Sequence, residues 1–89
     1  MALDRLEAMR AFCRIVETGS FTRAALALNV AKTTISGQIQ GLESLLSVKL
    51  LHRTTRRVTP TTDGAAYYQR ARAVLDDIDE LEVSISQSR

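Results

Sequence analysis

Two groups of side chains in this 89-residue sequence have the types and spacing to do chemistry. Arg53-Thr54-Thr55-Arg56-Arg57 sets three guanidinium groups and two hydroxyls on five consecutive residues. Guanidinium forks bind phosphate and carboxylate oxygens, so this run suits an anionic partner. Lys32-Thr33-Thr34, followed by Ser36, offers a cation and three hydroxyls with no carboxylate among them. Covalent and acid–base chemistry finds no comparable group. Cys13 is the only cysteine and His52 the only histidine, which excludes a disulfide within the chain and the Cys₂His₂ and Cys₄ zinc sites. Cys13 falls on an apolar stripe and reads as a buried, inert thiol. His52 has no acidic or thiol partner nearby and reads as a packing residue. Asp76, Asp77, Asp79, Glu80 and Glu82 share one helical stretch and read as a solvated face, not a paired-carboxylate site. With no nucleophile–base pair, phosphate-cradling glycine loop or metal spacing, the sequence reads as a non-enzyme without metal or cofactor.

Composition sets the frame for those residues. Hydrophobic residues make up 45% and charged residues 25%, as in an ordinary soluble fold of one small domain. No apolar run is long enough for a membrane span, and the N-terminal residues lack the pattern of a secretion signal, so a cytoplasmic protein with no membrane partner is expected. The formal charge of +2 conceals an asymmetry. Residues 1–59 carry nine Lys and Arg against four Asp and Glu; residues 60–89 carry three against six. A basic body and an acidic tail have different work to do.

Helical periodicity accounts for most of the chain. Asp4 and Glu7 form an N-cap with its reciprocal glutamate and open a first helix, whose inner stripe is Leu6, Met9, Cys13 and Val16, widened by Phe12 and Ile15. Gly19 closes it. Ser20 caps a second helix from about Phe21 to Leu28, with Phe21, Ala24, Ala25 and Leu28 inward and Asn29 ending it in a left-handed conformation. A third helix spans about Lys32 to Leu46. Ile35, Ile39, Leu42 and Leu46 fall on one face, and Thr33, Gly37, Gln40 and Ser44 on the opposite one, with Ser36 and Gly41 on the flanks. Val48–Arg53 and Arg57–Thr59 read as two short β segments around the basic turn, ended by Pro60, which cannot donate to a ladder. Thr61 caps a long last helix from Thr62 to about Gln87, with Asp63 at the positive end of its dipole.

The short turn at Asn29-Val30, with the first helix as a brace, is a helix-turn-helix arrangement. The third helix, about residues 32–46, presents a slim, polar, charge-free face of the kind that enters a major groove. Lys32, Thr33, Thr34 and Ser36 are the candidate base readers. Ser20, Thr22, Arg23, Gln38 and Gln40 are candidate contacts to the nucleic-acid backbone. The hairpin at about 51–59 makes a wing, with Arg53, Thr54, Arg56 and Arg57 available for phosphates or a narrow minor groove. Along the last helix, Tyr67, Ala71, Val74, Ile78, Leu81 and Ile85 are spaced four, three, four, three and four apart, a heptad seam that predicts pairing with a second copy. The expected fold class is therefore mainly α, a winged helix-turn-helix at 1–60 followed by a dimerisation helix at 61–89. A different class of function, a helical adaptor docking its basic hairpin on an acidic protein, is separable by a salt-titrated mobility shift.

The stretch Glu17-Thr18-Gly19-Ser20-Phe21-Thr22-Arg23-Ala24-Ala25 resembles the LysR-type transcriptional regulators. The likeness continues through Leu28-Asn29-Val30, Ile35-Ser36-Gly37-Gln38-Ile39, Leu42-Glu43, Val48 to Arg57 and Thr61-Thr62-Asp63-Gly64. It implies a homodimer that binds double-stranded DNA at an interrupted palindromic operator, and a tetramer when full length. It also implies linker helices that pair, usually antiparallel, and a small-molecule effector bound only through a C-terminal domain not in this sequence. The sequence departs from the family's usual pattern at Ala31, Lys32, Thr33, Gly37, Gly41 and Ser47, so the base preference is this chain's own.

Overall fold

The structure, a computed structural model, describes residues 3–54 and 57–87. Thr55 and Arg56 lie outside the described residues, and with them the role expected of Arg56. In chain order the elements are α1 (Arg5–Thr18), α2 (Phe21–Leu28), α3 (Lys32–Leu46), β1 (Leu51–Arg53), β2 (Val58–Pro60) and α4 (Thr62–Gln87). The two strands pair antiparallel, Leu51 with Pro60, His52 with Thr59 and Arg53 with Val58.

Local chemistry sets the helix ends. The Asp4 side chain accepts from the Glu7 N–H, and Gly19 closes α1 at φ 69°. The Ser20 hydroxyl accepts from the Arg23 N–H, and Asn29 ends α2 at φ 57°. Short polar side chains at such positions replace the partners that terminal N–H and C=O groups lack. Ala31 supplies no side-chain cap to α3, and Ser47 ends that helix in the left-handed region at φ 57°, where glycine is the unstrained residue.

The first helix is the hub, packing against α2, α3 and α4. Its apolar surface is wide because it serves two sides. Ala8, Ala11, Phe12 and Ile15 bury against Phe21, Ala24, Ala25, Ile35, Ile39 and Leu42. Cys13 forms a second cluster with Ala71 and Leu75 of α4, flanked by Leu6, Met9, Tyr67 and Tyr68. Phe12 meets Tyr67 edge-to-face at 5.3 Å between ring centroids, which joins the two clusters. Packing is therefore continuous across residue 60, and the start of α4 belongs to the same body as the three-helix core.

Four expectations need correction. The second strand runs Val58–Pro60, one residue later at each end than Arg57–Thr59; Pro60 is its last residue, paired with Leu51, because a two-stranded sheet has only edge strands and a missing N–H there costs no ladder bond. The first strand begins at Leu51, since the Leu50 N–H is taken by the Glu43 carboxylate. Leu46 is 40% exposed, past the end of the core stripe. His52 is exposed while Leu51 beside it is buried, so it does not pack in the wing.

Candidate nucleic-acid interface

The third helix sits with Ile35, Ile39 and Leu42 in the core, so the residues opposite them must face solvent. Thr33, Gly37, Gln40 and Ser44 are all exposed. That face holds no charged residue. Lys32 and Ser36 stand on the flank nearest the wing, where a shallow cleft of about 350 Å³ collects Ser20 and Thr22 of the second helix's start with Arg53, Thr54 and Arg57 of the wing. Seven candidate residues distant in sequence thus line one concavity. Thr34 and Gln38 lie on the other flank of α3, outside the cleft, with Thr34 exposed and Gln38 half-buried. Arg23 is exposed on α2 and lines a neighbouring cleft with Arg57 and Val58.

The wing is held to the body by packing and closed by its own turn. The Arg53 guanidinium lies 4.3 Å from the centroid of the Phe21 ring, a cation–π contact that fixes its plane while its N–H edge remains for an acceptor. The Thr54 hydroxyl donates to the Arg57 carbonyl and accepts from the Arg57 N–H, both at 3.0 Å, and the Thr54 N–H donates to the same carbonyl at 2.9 Å. Thr54 therefore ties the strand that carries Arg53 to Arg57. The Ser20 hydroxyl likewise accepts from the Arg23 N–H at 3.1 Å, so its first task is to cap α2.

One residue that carries much of this geometry has no expected role in the sequence. The Glu43 carboxylate, on α3, accepts from the Leu50 N–H at 2.8 Å. The Leu50 carbonyl in turn accepts from the Thr61 N–H at 3.0 Å, and the Thr61 hydroxyl donates to the Lys49 carbonyl at 2.7 Å and accepts from the Gly64 N–H at 2.9 Å. A Cβ on Gly64 would collide with the Leu50 carbonyl oxygen, so only glycine lets α4 rest on that backbone. Recognition helix, wing root and long helix thus meet at Leu50. A carboxylate seven residues from its partner belongs to no local capping pattern, which is why sequence reading passes over it.

On the far side, Glu17 ties α1 to α4. Its Oε2 accepts from the Tyr68 hydroxyl at 2.9 Å and from Arg72 at 3.3 Å, and Arg72 also bonds Asp76 at 3.2 Å. The Glu17 carboxylate beside it pushes the Tyr68 phenol above its ordinary pKa, with burial adding to the effect. Burial pushes the Cys13 thiol up to about 11, so it stays protonated at neutral pH, as an inert core residue does. Leu75 is the last buried residue of the long helix among those described, and Ile78 is half-buried. Val74, Leu81, Val83 and Ile85 are between 44% and 61% exposed, beside exposed Asp76, Asp77, Asp79, Glu80 and Glu82. Tyr67 and Ala71 of the heptad seam pack on the chain's own α1 instead.

This combination of a braced helix-turn-helix, a charge-free outer helix face and an arginine-bearing hairpin defines a winged helix-turn-helix module. Residues 6–65 match the family described as bacterial regulatory helix-turn-helix protein, lysR family. The chain is 46% identical over 83 residues to an HTH-type transcriptional repressor of Pseudomonas aeruginosa, covering 93% of this chain and 26% of that protein. It is 40% identical over 79 residues to the HTH-type transcriptional activator AaeR of Escherichia coli, covering 89% of this chain and 26% of that one. The chain therefore spans about a quarter of the length of these curated relatives. Among solved structures, the DNA-binding domain of BenM in complex with catB site 1 DNA superposes with a TM-score of 0.86 at 40% identity, covering 93% of this chain and 91% of that one. The CbnR DNA-binding domain in complex with DNA gives 0.84 at 30% identity, covering 94% and 98%. The chain belongs to the lysR family of bacterial regulatory helix-turn-helix proteins. Among its described residues no helix is long and apolar enough to cross a membrane.

Proposed function

We propose that this chain is the DNA-reading domain of a transcriptional regulator, with α3 in the major groove and the wing along the adjacent backbone or minor groove. The observation that carries the reading is the cleft in which Lys32 and Ser36 stand beside Arg53 and Arg57, next to a helix face without a carboxylate. A phosphate-lined partner fits that arrangement, and the relatives solved with DNA share the fold over nearly the whole chain. In this reading Lys32, Thr33, Thr34 and Ser36 meet base edges, while Ser20, Thr22, Arg23, Gln38, Gln40, Arg53 and Arg57 fix the register on the backbone. Thr54 acts by shaping the wing.

The projecting half of α4 supports assembly into a homodimer on an interrupted palindrome, through Val74, Ile78, Leu81 and Ile85. Control by a small molecule, and any tetramer, would reside in the full-length protein. Relatives at similar identity carry both repressor and activator names, so the direction of control does not follow from this domain.

A mobility-shift titration in salt tests the reading, using duplexes that the wild-type chain selects from a random pool. Affinity should fall steeply and linearly on a log–log scale, and Arg57→Ala should reduce the slope by about 0.9 for one lost phosphate contact. Lys32→Ala should alter the preferred base at one position per half-site, by about 1–3 kcal/mol. Salt-insensitive binding, or retention of an acidic protein in place of any duplex, would favour the adaptor function instead.

A further inference from the structure

The chain has four glycines, and at three of them the backbone angle or a neighbouring atom resists a Cβ. Gly19 ends α1 at φ +69°, a conformation that side chains disfavour. Gly64 lies where any Cβ would strike the Leu50 carbonyl, and at Gly41 a Cβ would stand 3.0 Å from a Leu3 methyl. Gly37 differs. It has ordinary helical backbone in the middle of α3, and a Cβ built there meets no atom of the described residues within 4 Å. A glycine inside a helix costs about 1 kcal/mol relative to alanine, and no contact among the described residues offsets that cost.

Its position says what does. Gly37 sits at the apex of the outer face, opposite Ile35 and Ile39 and between Thr33 and Ser44. At that point the helix offers no donor, acceptor or charge, only Cα hydrogens and a hollow the size of a methyl group. The apolar group displayed in the major groove is the thymine C5-methyl. We infer that Gly37 is a specificity-determining residue whose missing side chain seats a thymine methyl at one position of each half-site. The inference rests on the DNA-reading function above. It adds that the helix comes close enough for its backbone to touch a base, which a β-carbon would prevent.

The test uses the whole 89-residue chain and a duplex it selects from a random pool, with each thymine replaced singly by deoxyuridine. Wild type should lose about threefold to fivefold in affinity at one thymine per half-site, the scale of one buried methyl. Gly37→Ala should raise the melting temperature by a few degrees yet bind the selected duplex about tenfold more weakly, and the penalty for deoxyuridine at that position should vanish. A variant that binds as tightly as wild type overturns the inference, as does one that keeps the wild-type thymine dependence. A lower melting temperature for Gly37→Ala also overturns it, since the fold itself would then need the glycine. Failure to enrich any duplex would instead defeat the DNA-reading function, so the two failures are distinguishable.

Discussion

The two halves of α4 carry similar apolar periodicity and meet opposite fates. Through Leu75 the helix lies on α1, with Ala71 and Leu75 buried around Cys13 and Tyr67 against Phe12. After Leu75 no described residue of the helix is buried, and Leu81 and Ile85 stand 61% and 58% exposed. A helix of 26 residues is about 39 Å long, which accounts for most of the molecule's 49 Å long axis. The contrast teaches that one amphipathic helix serves as a wall of the domain at its start and as an arm at its end. The first half is anchored by apolar burial, the Glu17–Tyr68–Arg72 contacts and the Thr61–Leu50 junction; the second has acidic residues beside an uncovered apolar stripe.

The largest effect expected is at the base of the anchored half. Gly64→Val should cost about 4 kcal/mol or more, because the new side chain must displace the Leu50 backbone and with it the contacts of Glu43 and Thr61. Thermal or urea unfolding would measure it. A variant as stable as wild type would show that α4 does not need to rest on Leu50.

Next in size is a matched pair of leucines. Leu75→Ala should destabilise the monomer by about 2–5 kcal/mol, the usual range for a leucine this buried (1% exposed). Leu81→Ala, at a dilution where the chain is monomeric, should change stability by only about 0.5 kcal/mol. Equal effects would erase the division between wall and arm.

This division marks where the sequence stops being legible. Helix ends were readable because their chemistry is local: Asp4, Ser20, Gly19 and Asn29 each act within four residues. The face of α3 was readable because one helical period decides what is opposite Ile35 and Ile39. The seam of α4 was readable as apolar, but a heptad does not say whose surface covers it. Leu75 stood outside the strict heptad, yet it is buried because Ala71 and Leu75 follow the four-residue ridge that meets α1. Glu43 and the engagement of Leu50 escaped for a similar reason, being contacts between separate elements with no periodic trace. The same holds for Arg53, whose stacking on Phe21 joins residues 32 positions apart.

A smaller effect should appear in assembly. Replacing both Leu81 and Ile85 by Asp should leave the body's unfolding midpoint near that of wild type at monomeric dilution, while sedimentation shows a dimer converted to monomer. Binding to a duplex with two half-sites should weaken at least tenfold more than binding to one half-site, since linked half-sites raise the effective concentration of the second contact. Wild type that sediments as a monomer at high micromolar concentration, with and without duplex, would leave the arm without its proposed partner.

The smallest effect is a pH dependence confined to the wall. Burial holds the Cys13 thiol at about 11 in the folded chain, against 9.0 when the chain is open. Between those values the unfolded state has released the thiol proton and the folded state has kept it. The unfolded state then binds fewer protons, so stability must fall as pH rises. The contribution is complete below about pH 9 and is lost by about pH 11. The Tyr67 phenol, also raised by burial, changes stability in the same direction. Urea midpoints measured for wild type should therefore decline across this window. Cys13→Ala, which has nothing to ionise there, should show a shallower decline despite its lower starting stability. Equal slopes for the two would mean that the thiol is already hydrated in the folded state, and that α4 does not seal the side of α1 on which Cys13 lies.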